Sequence, residues 1–173
     1  GGTGLPACPL MHGTGAFTAF STLSTGGCIV TLTKRNFDAE ELLGTIQERK
    51  VNVLAVVGDA FCKPMLRALD EHPGTWDITS VIAIVSSGVM WSEETKHGLL
   101  KHHGGMLLSD NFSSSEALGM GASVSTAAGT SDTAKFKLGE NARVITDDGR
   151  DVVPGSGEVG IVAVKGRTPV GYY

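Results

Sequence analysis

Several familiar features are missing from this 173-residue chain, and each absence removes a class of function. It has three cysteines, Cys8, Cys28 and Cys62. The count is odd and the spacing includes no CxxC, which argues against a disulfide framework and a zinc site. Reduced thiols in a cytoplasmic protein are the simplest account. No apolar run approaches the ~20 residues of a membrane span. The first residues lack the basic and apolar regions of a signal peptide. Lys and Arg (14 against 18 Asp and Glu, net charge −4) are scattered singly, so no basic stripe offers a nucleic-acid footprint.

Catalytic signatures are missing as well. There is no G-x-x-x-x-G-K-[ST] phosphate loop, and Gly13-Thr14-Gly15 lacks the third glycine of a dinucleotide fingerprint. There is no HExxH. The G-x-S-x-G elbow of a serine hydrolase is absent, and no Asp is clearly placed to orient His12 toward a serine. His97, His102 and His103 lie on a polar helix and read as solvated.

What is present is globular. Hydrophobic residues make up 41% and charged residues 18%, which is not the composition of disorder. Glycine is abundant at 24 residues, implying many tight turns. Gly1-Gly2-Thr3-Gly4 at one end and Gly171-Tyr172-Tyr173 at the other read as cuts through a longer chain.

Strand-like and helix-like segments alternate through the first two thirds. Phe17, Phe20 and Leu23 predict a short buried helix ended by Gly26-Gly27, then a buried strand over residues 28–32 (CIVTL). Asp38, with Glu41 in capping-box position, starts a helix whose apolar face is Leu42, Leu43 and Ile46. Residues 51–57 (VNVLAVV) suit a central parallel strand. Gly58-Asp59 opens a helix to about Glu71, with Pro64 near its first turn. Residues 81–85 form a strand, Ser92 caps the next helix, and residues 106–109 form another strand. Lys63 and Lys96 read as helix-surface residues.

This order predicts an α/β fold, a parallel sheet flanked by helices over residues 1–130. Residues 122–132, rich in Ser, Thr, Ala and Gly, read as a bridge. Beyond it the helical period stops. Residues 142–146, the Asp148-Gly149 turn and residues 158–165 read as antiparallel strands, part of a small β-barrel subdomain over residues 131–173.

Ligands on such sheets bind beyond the carboxyl ends of the strands, so the loops there matter most. Asp110-Asn111-Phe112-Ser113-Ser114-Ser115-Glu116 is the leading candidate. Small hydroxyls and free N–H groups cradle phosphate oxygens, a lone carboxylate suits magnesium, and Phe112 offers a face to a base. The bland alternative is a polar loop whose serines cap a short helix with Glu116 in its first turn. His12, beside Gly13 and Gly15, reads equally as a helix cap, and Ser86-Ser87-Gly88 alone is an ordinary turn.

Taken in order, these segments resemble the adenylate-forming family of acyl-CoA synthetases, luciferases and peptide-synthetase adenylation domains. Pro9-Leu10-Met11-His12-Gly13 is similar to the family's P-L-x-H motif, and Ser86-Ser87-Gly88-Val89 to its small-residue turn. Phe112 to Glu116 is similar to Y-G-x-T-E, and Gly157-Glu158-Val159-Gly160, with Gly166 and Gly171-Tyr172-Tyr173, to its G-E-x-G … G-Y stretch. Within the family, the Pro9 and Val53-to-Phe61 regions look most like bacterial synthetases of fatty-acid and steroid-side-chain degradation.

The resemblance implies an ATP-dependent ligase that makes an acyl-adenylate from a small carboxylic acid and passes the acyl group to coenzyme A. It implies that Glu116 binds Mg²⁺, that Ser115 contacts the α-phosphate, that Phe112 stacks on adenine and that Asp110 meets the base edge. Ser87, Gly88 and Val89 would line the adenine and acyl pockets, and His12 would flank the acyl carboxylate. Ser113, Ser114 and Ser115 replace the usual Gly, apolar and Thr residues; the last keeps its hydroxyl, while the first alters the local backbone. The family's lysine-ending phosphate loop, its ribose-binding Asp and its C-terminal lid with the catalytic lysine have no counterpart here, so the chain alone is expected to be inactive. Transfer to a carrier protein instead of CoA, or a non-catalytic nucleotide- or acyl-binding module, are the alternatives. A serine hydrolase is a third and weaker one.

Overall fold

The structure, a computed structural model, describes residues 1–166. The Gly171-Tyr172-Tyr173 stretch therefore lies outside the described residues. A seven-stranded sheet carries β1 (Thr3–Pro6), β2 (Cys28–Ile29), β3 (Val53–Val56), β4 (Ala83–Ser87), β5 (Leu107–Phe112), β6 (Gly121–Ser125) and β7 (Lys137–Leu138) in the order β2-β1-β3-β4-β5-β6-β7. The first five are parallel, β6 runs antiparallel to β5, and β7 runs antiparallel to β6. The helices are α1 (Gly13–Ser24), α2 (Ala39–Arg49), α3 (Asp59–Glu71) and α4 (Glu93–His102). The α/β expectation therefore holds.

The two faces of the sheet are covered unequally. The α2, α3 and α4 helices supply Leu42, Leu43, Ile46, Cys62, Met65, Leu69, Leu99 and Leu100 to one core, which closes on Leu5, Leu54, Val56, Ile84 and Leu108 from the strands. Burying each large side chain there is worth about 1.5–3 kcal/mol. The opposite face carries α1, packed on β1, β3 and β4. Phe17, Phe20 and Leu23 of α1 are 38%, 67% and 53% exposed, so the helix forms where its spacing predicts but is not buried.

Local signals account for most boundaries. Asp38 accepts from Glu41 N–H at 2.9 Å. Glu41 does not complete the box; its carboxylate turns to Thr33 N at 2.7 Å instead. Ser92 caps α4 through Thr95 N at 3.4 Å.

Five expectations need correction. The 28–32 strand shrinks to Cys28–Ile29, because it is the sheet's exposed edge and has a partner only in β1. Pro64 sits six residues into α3, beyond the first turn. Residues 106–109 are only the start of β5, which continues through Phe112. No helix follows the serine run: Ser114 Oγ accepts from Ala117 N at 3.2 Å and Ser113 Oγ from Gly119 N at 3.1 Å, which uses the hydroxyls inside a hairpin loop. Residues 121–125 are not a bridge but strand β6 of the main sheet. The antiparallel segments form as expected: β8 (Ala142–Ile145) pairs with β9 (Ile161–Val164) in a separate two-stranded sheet, with Gly149 at φ 84° in the turn after β8.

Candidate nucleotide and acyl site

Strands β4 and β5 pair in register, Ser86 with Asp110 and Ser87 with Asn111. Alternation therefore sends Ser86 and Asp110 to the helix-packed face and Ser87 and Asn111 to the other. A cleft of about 520 Å³ opens on that second face, beyond the strand ends. Met11, His12 and Phe17 form one side, Ser87, Gly88 and Asn111 the floor, and the serines at 113–115 the rim. The segments singled out in the sequence thus meet in one place.

His12 is the N-cap of α1, its Nδ1 accepting from Thr14 N at 3.2 Å. The rest of the ring lies over Gly88. That glycine has φ 96°, and a Cβ there would approach the imidazole Nε2 to 3.2 Å. A side chain at 88 would be strained and would crowd the histidine.

Not every candidate faces the cleft. Val89 is 53% exposed and stands outside it. Phe112 packs against Phe136 in a tilted pair with centroids 5.7 Å apart. It remains at the protein surface rather than in the core. Glu116 is exposed, with no ion pair among the described residues, and borders a neighbouring cleft of about 590 Å³ with Glu140, Asn141 and Lys165. Asp110 is buried on the far face of the sheet, 4% exposed. Burial pushes its pKa up to about 6 against the opposing pull of Lys96.

Lys96 is not a helix-surface residue. It is fully buried, and its ammonium donates to Ser131 O at 2.9 Å and Ser131 Oγ at 2.8 Å. Burial lowers its pKa, while Asp110 acts to raise it. Helix amphipathicity misled here because the polar partners come from the loop after β6, far away in sequence. Lys63 is at the surface, paired with Asp59 at 3.1 Å. His102 bonds Asp70 at 2.7 Å and His103 bonds Val81 O at 3.0 Å, so these two are not merely solvated.

Asn111 is the residue that the sequence reading passed over. Its Nδ2 donates to Ser86 O at 3.3 Å and Ser109 O at 3.2 Å, holding the amide against the cleft floor. The period-2 rule applied to β5 would have separated it from Asp110, had the strand been extended past Ser109.

Residues 4–173 match the AMP-binding enzyme family. The chain belongs to that family. It is 34% identical to a 3-oxocholest-4-en-26-oate–CoA ligase of Rhodococcus rhodochrous over 97% of its length, and 33% identical to a medium/long-chain-fatty-acid–CoA/3-oxocholest-4-en-26-oate–CoA ligase of Mycobacterium marinum over 97%. It spans only 31% and 30% of those two proteins. Among solved structures, a luciferase-like enzyme from the mealworm Zophobas morio superposes with a TM-score of 0.78 at 18% identity, over 99% of this chain and 40% of that one. A long-chain-fatty-acid–CoA ligase from Archaeoglobus fulgidus gives a TM-score of 0.70 at 16% identity, over 95% and 34%. These likenesses confirm the adenylate-forming fold. Among the described residues no helix is long and apolar enough to cross a membrane, and no group of three or more His, Cys, Asp or Glu is gathered to hold a metal.

Proposed function

We propose that the chain is the central part of an ATP-dependent acyl-CoA synthetase acting on a fatty or steroid-side-chain carboxylic acid in the cytoplasm. The observation that carries this is the convergence of His12, Ser87, Gly88, Asn111 and the three serines on one cleft at the carboxyl ends of the strands. The ligase names of the relatives support the reaction class. The free state of all three cysteines supports the compartment.

In this reading the acid attacks the α-phosphate of ATP, pyrophosphate leaves, and the thiol of coenzyme A then displaces AMP. Two anions must meet in the first step, so preorganised donors and exclusion of water are the protein's main contributions. Ser115, at the cleft rim, donates its hydroxyl toward the α-phosphate. Asn111 rather than Asp110 takes the base edge, because it is the one on the cleft face. The stacking role of Phe112 rests on the family resemblance alone, because its ring lies against Phe136 outside the cleft, while the Ser87-Gly88 part of the turn and His12 border the acyl path. A single open carboxylate such as Glu116 suits magnesium, which keeps most of its waters and takes phosphate oxygens as further ligands. Bound there, the ion would supply charge neutralisation.

The division into an α/β part, residues 1–130, and a partial β-barrel, residues 131–173, belongs to the same proposal, with β7 as a strand contributed back to the main sheet. The isolated chain, which spans about a third of those relatives' length, should not make thioester.

The test is ATP–pyrophosphate exchange by the full-length gene product with a panel of fatty and steroid acids. Exchange should require the acid, and Glu116→Gln should reduce it about 100-fold or more, as expected for losing a charged contact made in the transition state. Full activity in that variant would reject the metal role. Exchange without thioester formation from CoA would point to a carrier protein as acceptor. Nucleotide binding without exchange would leave a non-catalytic module.

A further inference from the structure

The turn that carries Ser87 and Gly88 is held from behind by a residue outside the cleft. Strand β3 ends at Val56, and the Gly58-Asp59 corner that opens α3 grips the next strand's loop on both sides. Gly58 N donates to the buried Ser86 Oγ at 2.9 Å, before the turn. Asp59 N donates to Met90 O at 3.1 Å, within it. Asp59 Oδ1 accepts from Ser92 N at 3.0 Å and Ser92 Oγ at 3.1 Å, at its end. Contact is close enough that a Cβ on Gly58, whose φ is 52°, would lie 2.4 Å from Met90 O.

The carboxylate is itself restrained. It sits at the first position of α3, where the helix dipole favours a negative charge, and its Oδ2 lies 3.1 Å from Lys63 Nζ. Its side chain is only 14% exposed. Ser92 in turn shares a 2.8 Å bond with Thr95 Oγ1, which ties the clamp to the start of α4. Between the two clamped ends lies Gly88, where an added Cβ would come within 3.2 Å of the His12 ring.

We propose that Asp59 is a positioning residue for the cleft: by holding Ser92 it fixes the 87–92 turn against His12, and so sets where Ser87 and Gly88 meet the nucleotide and acyl group. The role rests on the function proposed above. Asp59 touches no substrate; it acts through the turn. A turn freed at one end relaxes away from His12, and shifts of an ångström in positioning groups are enough to change binding and rate strongly.

The experiment is ATP–pyrophosphate exchange with the full-length gene product. Asp59→Ala should raise the KM for ATP about tenfold while kcat falls less than about threefold. Asp59→Asn keeps an acceptor oxygen for Ser92 and should stay within about threefold of the native KM. A folded Asp59→Ala with native KM and only a lower Tm would overturn the proposal, since that is what a purely structural residue gives. If Asp59→Ala does not fold, Ser92→Ala decides. It removes one of the two bonds to Oδ1 and should raise KM about threefold; an unchanged KM overturns the role. An unmodified protein without acid-dependent exchange rejects both the proposed function and this role, whereas exchange indifferent to Asp59 rejects the positioning role alone.

Discussion

Asp110 and Asn111 are neighbours on β5, yet they belong to opposite environments. Asp110 shares its face with the buried Lys96, in a region closed by α4 and the loop after β6. Asn111 shares its face with Ser87 and with the cleft under His12. One side buys fixed geometry with buried charge; the other leaves polar groups open to a ligand. The pleat of a single strand makes that separation, and it explains why a polar run cannot be assigned wholesale to one function.

The comparison predicts that changes behind the sheet cost stability and changes in front of it cost binding. The largest expected effect is Lys96→Met. Methionine fills much of the volume but leaves Ser131 O and Oγ without their donor and Asp110 without a nearby cation. Removing one member of a buried polar set typically costs several kcal/mol, so a loss of about 3 kcal/mol is expected in urea unfolding. A change under about 1 kcal/mol would mean that the burial of Lys96 is energetically neutral.

Asp110→Asn tests the same face through pH. The carboxyl is raised to about 6 in the folded chain, chiefly by burial. An unfolded aspartate titrates near ~4. Between these values the folded state holds the extra proton, so Asp110's contribution to stability is greatest below pH ~4 and is lost as pH rises through about 6. The Asn variant lacks that dependence. Its stability relative to the native chain should therefore improve by about 2 kcal/mol from pH 4 to pH 7, with Lys96 remaining bonded to Ser131. Parallel pH–stability curves would remove Asp110 as a titrating group.

Much of this organisation was legible in the residues themselves. Leu42, Leu43 and Ile46 announce a buried face by spacing, and Asp38 and Ser92 mark helix starts by capping chemistry. These are local signals, carried within a few residues of where they act. The site segments around His12, Gly88 and Ser115 were also visible, because small residues, hydroxyls and turns cluster after strands. The errors share one cause. Lys96 was placed at the surface because its partner, Ser131, is 35 residues away. The burial of Asp110 is hidden in the sequence because β5 runs three residues past Ser109, and one strand position is enough to reverse a side chain's face. The exposed face of α1 has a different origin: period shows that a helix is amphipathic, not what covers its apolar side.

The smallest effect on folding, and the cleanest separation of the two faces, should come from His12. Its ring does two things at once: Nδ1 caps α1 through Thr14 N, and the remainder lies over Gly88 at the cleft. His12→Asn divides them. Asparagine is among the best N-caps, so the helix start is retained and stability should change by less than about 0.5 kcal/mol. The shorter amide no longer covers Gly88, so the cleft loses a wall and the KM for the acid should rise about tenfold. His12→Ala removes the cap as well and should lose a further ~1 kcal/mol of stability at a similar KM. If instead Asn restores both stability and KM while Ala impairs both, His12 serves the helix alone, and the front of the sheet begins at Gly88 rather than at the imidazole.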